Sequence, residues 1–380
     1  MIIQRLKRIR AIALKELIQI KRDPRSLGLA LGIPMFMLLI FGYGLSLDID
    51  HVPTVIWNQD ASSQFSRNFL LNFSNSKYFK IVGYTDNYRK IEELINKGEV
   101  MLAMVIPKDF SRLIKSGKPA PLQLIVDGSD ANTATIAMNY VRSVVNDYNL
   151  HLLVDVFSRK GLNPPELVDT RPRIWFNMGL TSTWFIVPGV IAMIIMIISA
   201  LLTSLTIARE WERGTMEQLI STPVKSPELI IGKFLPYFAI GFFDLIMGIL
   251  MARFLFHVPF RGSYFLLFVL SSLFLTGALA QGILISVIAR SQLMASQLAS
   301  LTTLIPTIIL SGFIYPIFNM PQFIQAVTYL IPARYYIVVL RELFLKGGNM
   351  STMYDEALFL FLFAFIMLGW AILRFKKRVA

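Results

Sequence analysis

The run Trp184–Ile207 contains no charged residue and is long enough to cross the ~30 Å hydrocarbon layer of a bilayer as a helix. No water in that layer can satisfy a backbone amide, so such a segment must close its hydrogen bonds within itself. Five further apolar runs obey the same logic: Leu27–Leu47, Leu229–Phe256, Tyr264–Ile288, Leu298–Ile317 and Leu358–Leu373. The fold they predict is an α-helical polytopic membrane protein with six transmembrane helices. Composition agrees, since the chain is 55% hydrophobic and 16% charged, against about 45–50% and about 25% in soluble domains. The formal net charge of +13 then reads as cytoplasmic flanks of the spans rather than a nucleic-acid surface.

The segments between the runs are of different kinds. Residues 1–25 carry Arg5, Lys7, Arg8, Arg10, Lys15, Lys21, Arg22 and Arg25, with Ile2, Leu6, Ile9, Ala13, Leu17 and Ile20 at steps of three and four. That is a basic amphipathic helix suited to the membrane interface, although docking of its apolar stripe on protein fits the same pattern. It is too charged for a cleavable signal, and Asp23-Pro24 ends it. From Asp48 to Ser182 the chain becomes mixed polar. Val52–Trp57, Val100–Ile106 and Leu122–Val126 read as strands, Tyr88–Asn96 and Pro107–Lys115 as helices. Ala131–Arg159 reads as one long helix with Val141, Val145, Tyr148, Leu152 and Val156 on a face. Alternating strands and helices suggest an α/β domain inserted between the first two spans. Its turn Asp127–Asn132 lacks the glutamate that closes a calcium loop and reads as a helix cap.

The loop Arg209–Lys225 lies between two spans, with five charged residues from Arg209 to Glu217. Such charge density predicts a short helix at the membrane surface through which an outside partner acts, and a solvated turn is the plainer alternative. Ser226-Pro227-Glu228 then opens the next helix, with Ser as cap and Glu complementing the dipole. Pro321–Lys346, only half apolar and holding Pro332, Arg334, Arg341 and Glu342, suits re-entrant helices in the outer leaflet. With six spans, the basic N-terminus, Arg290 and the tail Arg374, Lys376, Lys377 and Arg378 share one side, which the positive-inside tendency assigns to the cytoplasm. Arg253 and Arg261 go against it and are outnumbered. The insert is then extracytoplasmic.

Little here points to catalysis. There is no cysteine, no phosphate-cradling G-x-x-x-x-G-K-[ST] and no nucleophile elbow. His51, His151 and His257 show no metal-ligand spacing. Asp244 stands about midway along Leu229–Phe256, where a carboxylate costs about 2.5–3.5 kcal/mol on insertion. It faces either a translocation path, a partner-subunit interface, or a neighbouring helix to which it bonds in packing.

Arg209-Glu210-Trp211-Glu212-Arg213-Gly214-Thr215-Met216-Glu217-Gln218-Leu219 with Ser221-Thr222-Pro223 resembles the cytoplasmic loop of type-2 ABC exporter membrane subunits (ABC-2 permeases), most of all the bacterial multidrug-efflux, Ybh-type branch. Lys15-Glu16, Arg22-Asp23-Pro24, Ile40–Gly44, Asp127-Gly128-Ser129, Asn132-Thr133-Ala134, Val258–Ser263, Ser311–Ile314 and Ile331–Tyr335 add to it in order along nearly the whole chain. The resemblance implies a bacterial inner-membrane subunit with both termini cytoplasmic. It pairs with a second permease, identical or a sibling, and with separate cytoplasmic ATPase subunits that bind ATP and Mg. A periplasmic adaptor and an outer-membrane channel often complete the path, with drugs or amphipathic compounds as cargo. The implied parts are an elbow helix at 1–25, TM1 at 26–47, the periplasmic α/β domain at 48–182 and a type-2 core at 183–378. Within the core these are TM2 at 184–207, a coupling helix at 209–222, TM3 at 229–256, TM4 at 264–288, TM5 at 298–317, the re-entrant helices at 321–346 and TM6 at 358–373. Arg209, Glu210, Glu212, Arg213, Gly214 and Glu217 would contact the ATPase.

Two other functions compete. An ion-driven secondary transporter is favoured only by Asp244 and carries no convincing inverted repeat. A sensor or adhesion protein would need fewer spans.

Overall fold

The computed structural model describes residues 2–44, 51–159, 175–177 and 181–375. The chain divides into two compact units, Leu47–Arg173 and the remainder. Lys376, Lys377 and Arg378 of the basic tail, and the last residues of the first apolar run, lie outside the described residues.

The chain opens with α1 (Ile2–Arg22), α2 (Pro24–Leu27) and α3 (Ile33–Gly44), the last two joined by a π-helical turn at Gly28–Gly32. The insert then runs β1 (Val52–Asn58), α4 (Gln64–Ser74), β2 (Phe79–Tyr84), α5 (Tyr88–Asn96), β3 (Leu102–Ile106), α6 (Phe110–Lys115), β4 (Gln123–Val126) and α7 (Ala131–Arg159). Its sheet has the order β2-β1-β3-β4, with β1 parallel to β2 and β3 while β4 is antiparallel to β3. Alternation along β3 serves two cores. Leu102, Met104 and Ile106 join Phe69, Phe110 and Val141 on one face; Ala103 and Val105 meet Ile91 on the other. Two elements, α4 and β2, escape the sequence reading, and α6 begins at Phe110 rather than Pro107. In α4, Ser63 caps by accepting from the Phe65 amide, while Phe69 and Phe73 point into the core. The Asp127 turn is local, its Oδ1 accepting from Ser129 N at 2.9 Å.

The remaining elements are α8 (Ser182–Glu212), α9 (Thr215–Ser221), α10 (Ser226–Phe254), α11 (Tyr264–Ala289), α12 (Gln292–Ala299), α13 (Ile305–Leu310), α14 (Gln322–Thr328), α15 (Pro332–Arg341) and α16 (Tyr354–Arg374). Among the described residues five helices are long and apolar enough to cross a membrane: α8, α10, α11, the continuous α12–α13 rod Gln292–Leu310, and α16. A shorter apolar helix covers Ala30–Gly44, and α14 meets Pro332–Lys346 at a bend of 79°.

Four boundaries differ from the sequence reading for identifiable reasons. The fifth run starts at Gln292 because Ser291 Oγ caps the Met294 amide, and it stops at Leu310 ahead of Gly312, whose φ is 77°. Arg209–Glu212 belong to α8 rather than to the short helix of the loop. The cap of α10 is Lys225, with Ser226 already helical, and Glu228 accepts from the Lys225 amide at 3.0 Å.

α8 is the axis of the bundle: 89% of its most apolar stretch is buried, against 28% for α10 and for α16. Lipid is as apolar as leucine, so helices in a membrane associate by close packing and polar contacts rather than by hydrophobicity. The α8–α11 seam does this with Ala278, Gly282 and Ser286, spaced four apart. Ser286 Oγ accepts from Ile207 N and Ala208 N, both at 2.9 Å, and Thr203 Oγ1 donates to Leu279 O at 3.0 Å. A Cβ on Gly282 would collide with Thr203 Oγ1 and the Ala200 carbonyl, whereas one on Gly369 would meet nothing. Gly282→Ala therefore lowers stability by about 1–3 kcal/mol through overpacking. Gly369→Ala holds or raises it, alanine being the better helix former. Thermal unfolding of the two variants in detergent separates them.

Candidate functional site

The loop after α8 is shaped by one residue. Arg213 closes the helix, its amide donating to Arg209 O at 3.1 Å, and Gly214 takes φ 68°, a left-handed conformation that glycine adopts without a Cβ penalty. The chain re-enters helix as α9. Met216, Leu219 and Ile220, at helical spacing, pack over Val224, Leu229 and Phe375. This pins one face of α9 to the bundle and turns the other, with Glu217 and Gln218, to solvent.

The charged residues of the loop separate into two groups. Glu210 turns inward and is 5% exposed, contrary to a strut bearing only surface charge. Its Oε1 accepts from Lys15 Nζ at 2.8 Å and Lys233 Nζ at 3.1 Å, and its Oε2 accepts from Thr215 Oγ1. Lys233, 1% exposed, also pairs with Glu16 and donates to the Thr206 carbonyl at 3.4 Å. Arg209 lies 3.9 Å from Asp23. Glu212 accepts from the Gln292 amide at 2.7 Å and from its side chain, which ties α8 to the start of α12. Arg290 stacks over Trp211 at 5.1 Å. That leaves Arg213 and Glu217, both exposed, with no side-chain hydrogen bond or ion pair among the described residues.

The other half of this charge belt is α1. Arg8 grips Glu228 with two bonds, Nε to Oε2 at 2.8 Å and Nη2 to Oε1 at 2.7 Å, and Arg5 approaches it at 3.9 Å. The Glu228 contacts hold the Arg8 guanidinium above its ordinary pKa. Arg8, Ile12 and Glu16 form a stripe at steps of four that seats on α10, while Ile3, Leu6 and Leu17 are exposed. The sequence predicts the amphipathic helix but not this division, with charge facing protein and part of the apolar stripe left open. The sequence reading also overlooks Lys233 inside the third apolar run; a lysine one to two turns into a span, with Lys15-Glu16 elsewhere, was the available signal.

The remaining candidates lie apart. Asp244 follows Lys233 by eleven positions on α10, about 16 Å along the axis at ~1.5 Å per residue. Pro332 opens α15, Arg334 stacks over Tyr329 at 4.0 Å, and Glu342 pairs with Lys346.

Apolar helices of spanning length with charge gathered at their ends define a multi-pass membrane protein. A profile of the ABC-2 family transporter protein family matches residues 25–373, and the chain belongs to that family. It is 38% identical over 374 residues to the probable multidrug ABC transporter permease YbhS of Escherichia coli K12, covering 98% of each chain. It is 28% identical over 342 residues to the probable multidrug ABC transporter permease YbhR, covering 90% of this chain and 91% of that one. It is also 22% identical over 373 residues to ABC transporter G family member 20 of Dictyostelium discoideum, covering 95% of this chain and 49% of that one. Family membership makes it a permease subunit, not an enzyme itself, and implies partner ATPase subunits.

Breaking a buried ion pair on one side leaves an uncompensated charge, at a cost of about 3–5 kcal/mol. Lys233→Met is expected to lose that much, as a marked fall in the thermal midpoint in detergent. Glu16→Gln added to Lys233→Met should recover most of the loss, since Glu210 keeps Lys15; no recovery would mean that Glu16 is not the charge Lys233 neutralises.

Proposed function

We propose that the chain is half of the membrane pathway of an ATP-driven exporter of amphipathic compounds, and that α9 is where the ATPase engages it. The observation that carries this reading is the division of the loop's charges. Of the five charges from Arg209 to Glu217, three tie α8 to Asp23, α1 and α12. Among the described residues Arg213, which closes α8, and Glu217, on α9, make no side-chain hydrogen bond or ion pair, and the opposite face of α9 is pinned to Leu229 and Phe375. Force applied to α9 from outside therefore reaches α8, α10, α1 and α16 together. A change in ATPase affinity between two arrangements of the bundle is then enough to drive alternating access.

Several observations support this topology. α1, the 209–225 loop, Arg290 and Phe375 meet at one end of the bundle through the contacts above, and this basic end is read as cytoplasmic. Six crossings are proposed: the five long helices and the apolar stretch ending at Gly44, with the bent pair α14–α15 re-entrant on the outer side. The chain enters the insert after α3 and leaves it before α8, so the insert is read as extracytoplasmic. The exposed apolar side of α1 would rest in the inner leaflet as the elbow. The names of YbhS and YbhR, probable multidrug ABC transporter permeases, support multidrug transport as the activity, and export is the direction we infer. Pairing with a second permease follows the same reading.

The test uses charge reversal at the two free residues. Arg213→Glu and Glu217→Arg should each reduce ATP-driven transport by about tenfold, the scale of ~1.4 kcal/mol, with folding intact and hydrolysis persisting. Because the chain has no cysteine, Gln218→Cys places the only thiol on this face. It should cross-link to the ATPase; normal transport in both reversals and no cross-link would overturn the role of α9.

A further inference from the structure

Asp244 is the buried carboxylate that the charge belt leaves without a counter-charge. It is 9% exposed, its Oδ1 is enclosed with no hydrogen-bond partner, and neither oxygen meets a cation among the described residues. Its surroundings are apolar: a cavity of about 20 Å³ bounded by Pro34, Met35, Ile191 and Ile195, with Met247 and Met251 on its own helix. The two cations of α10 are engaged elsewhere: Lys233, eleven positions back, is held by Glu16 and Glu210, and Arg253, nine positions on, donates to the Tyr264 hydroxyl. An unmatched acidic group in a span is expensive, and such residues mark pathways or sites.

We propose that Asp244 is the charge-recognition group of a binding site for hydrophobic organic cations, formed where α3 parts from α8 and α10. This deepens the transport reading and rests on it for its purpose, although binding itself does not require ATP. The chemistry of the walls selects the ligand. A metal ion would need several oxygen ligands in place of its hydration shell, and here there is one carboxylate among hydrocarbon and thioether groups. A delocalised cation is weakly hydrated, so it surrenders little on entering and gains the carboxylate at low dielectric. Methionine is unbranched and polarisable, which suits a wall that must accept more than one shape, and three of the lining residues are Met35, Met247 and Met251. The cavity as it stands admits about one water. Binding therefore requires these methionines and α3 to move, and α3 follows the π-helical turn at Gly28–Gly32, a rare conformation that often falls at functional sites.

The experiment is equilibrium binding of tetraphenylphosphonium to the full-length permease with its ATPase subunits in lipid nanodiscs, with tetraphenylborate as an anion of nearly the same shape. Wild type should bind the cation saturably and the anion only as empty nanodiscs do. Asp244→Asn should weaken cation binding by about tenfold or more, and Asp244→Glu should retain most of it, both variants eluting and melting as wild type does. Equal cation affinity in folded Asp244→Asn overturns the site. So does saturable anion binding by wild type as tight as that of the cation, a result that needs no variant. Binding that depends on Asp244 in a protein without ATP-driven transport leaves the site standing and removes the transport reading.

Discussion

Lys233 is the contact on which the charged end of this permease depends. An ammonium one to two turns inside an apolar helix survives only with counter-charges at hand, and α10 has none of its own within reach. Glu16 and Glu210 provide them from two other helices. Two carboxylates around one buried cation would in turn be overcharged, and Lys15 restores the balance at Glu210. No one of α1, α8 and α10 can leave this arrangement without stranding a charge on another. The belt is thus a constraint on relative motion, whatever its net contribution to stability.

That constraint gives the short helix α9 mechanical meaning. Seven residues of helix are too few to be stable alone in water, so its orientation comes from what holds its ends and its apolar face. Gly214 turns it away from α8, Thr215 joins it to Glu210, and Met216 and Leu219 seat it on the bundle. Above it the α8–α11 seam packs backbone against backbone at Gly282, so movement of α8 carries α11 as well. Asp244 lies beyond the belt, beside a cavity of about 20 Å³ bounded by α3, α8 and α10.

The parts of this structure legible in the sequence are those dictated locally. The apolar runs announce themselves because a bilayer tolerates nothing else, and α7 follows from its length and periodic face. The loop at 209–225 stands out by charge density alone. Its internal assignment does not, because which of Arg209, Glu210, Glu212, Arg213 and Glu217 faces inward depends on where α8 ends, and that is set by the conformation of Gly214. The belt was illegible for another reason: Glu16 and Lys233 are 217 positions apart, and Arg8 and Glu228 are 220 apart. No spacing rule reaches that far. In the insert, α4 is hard to read because Phe65, Phe69 and Phe73 lie in a polar segment whose helical period is short and weakly apolar.

The central claim is that α1 and α9 move as one body because the belt joins them. The absence of native cysteine allows spin labels at two chosen positions, Arg10→Cys on the open side of α1 and Gln218→Cys on the free side of α9. Pulsed electron paramagnetic resonance then reads the distance between them in the assembled transporter, without nucleotide and with ATP trapped. The account predicts one narrow distance that is the same in both states. A distance that shifts or splits when nucleotide is trapped would mean that the helices part, and that the belt does not carry the motion.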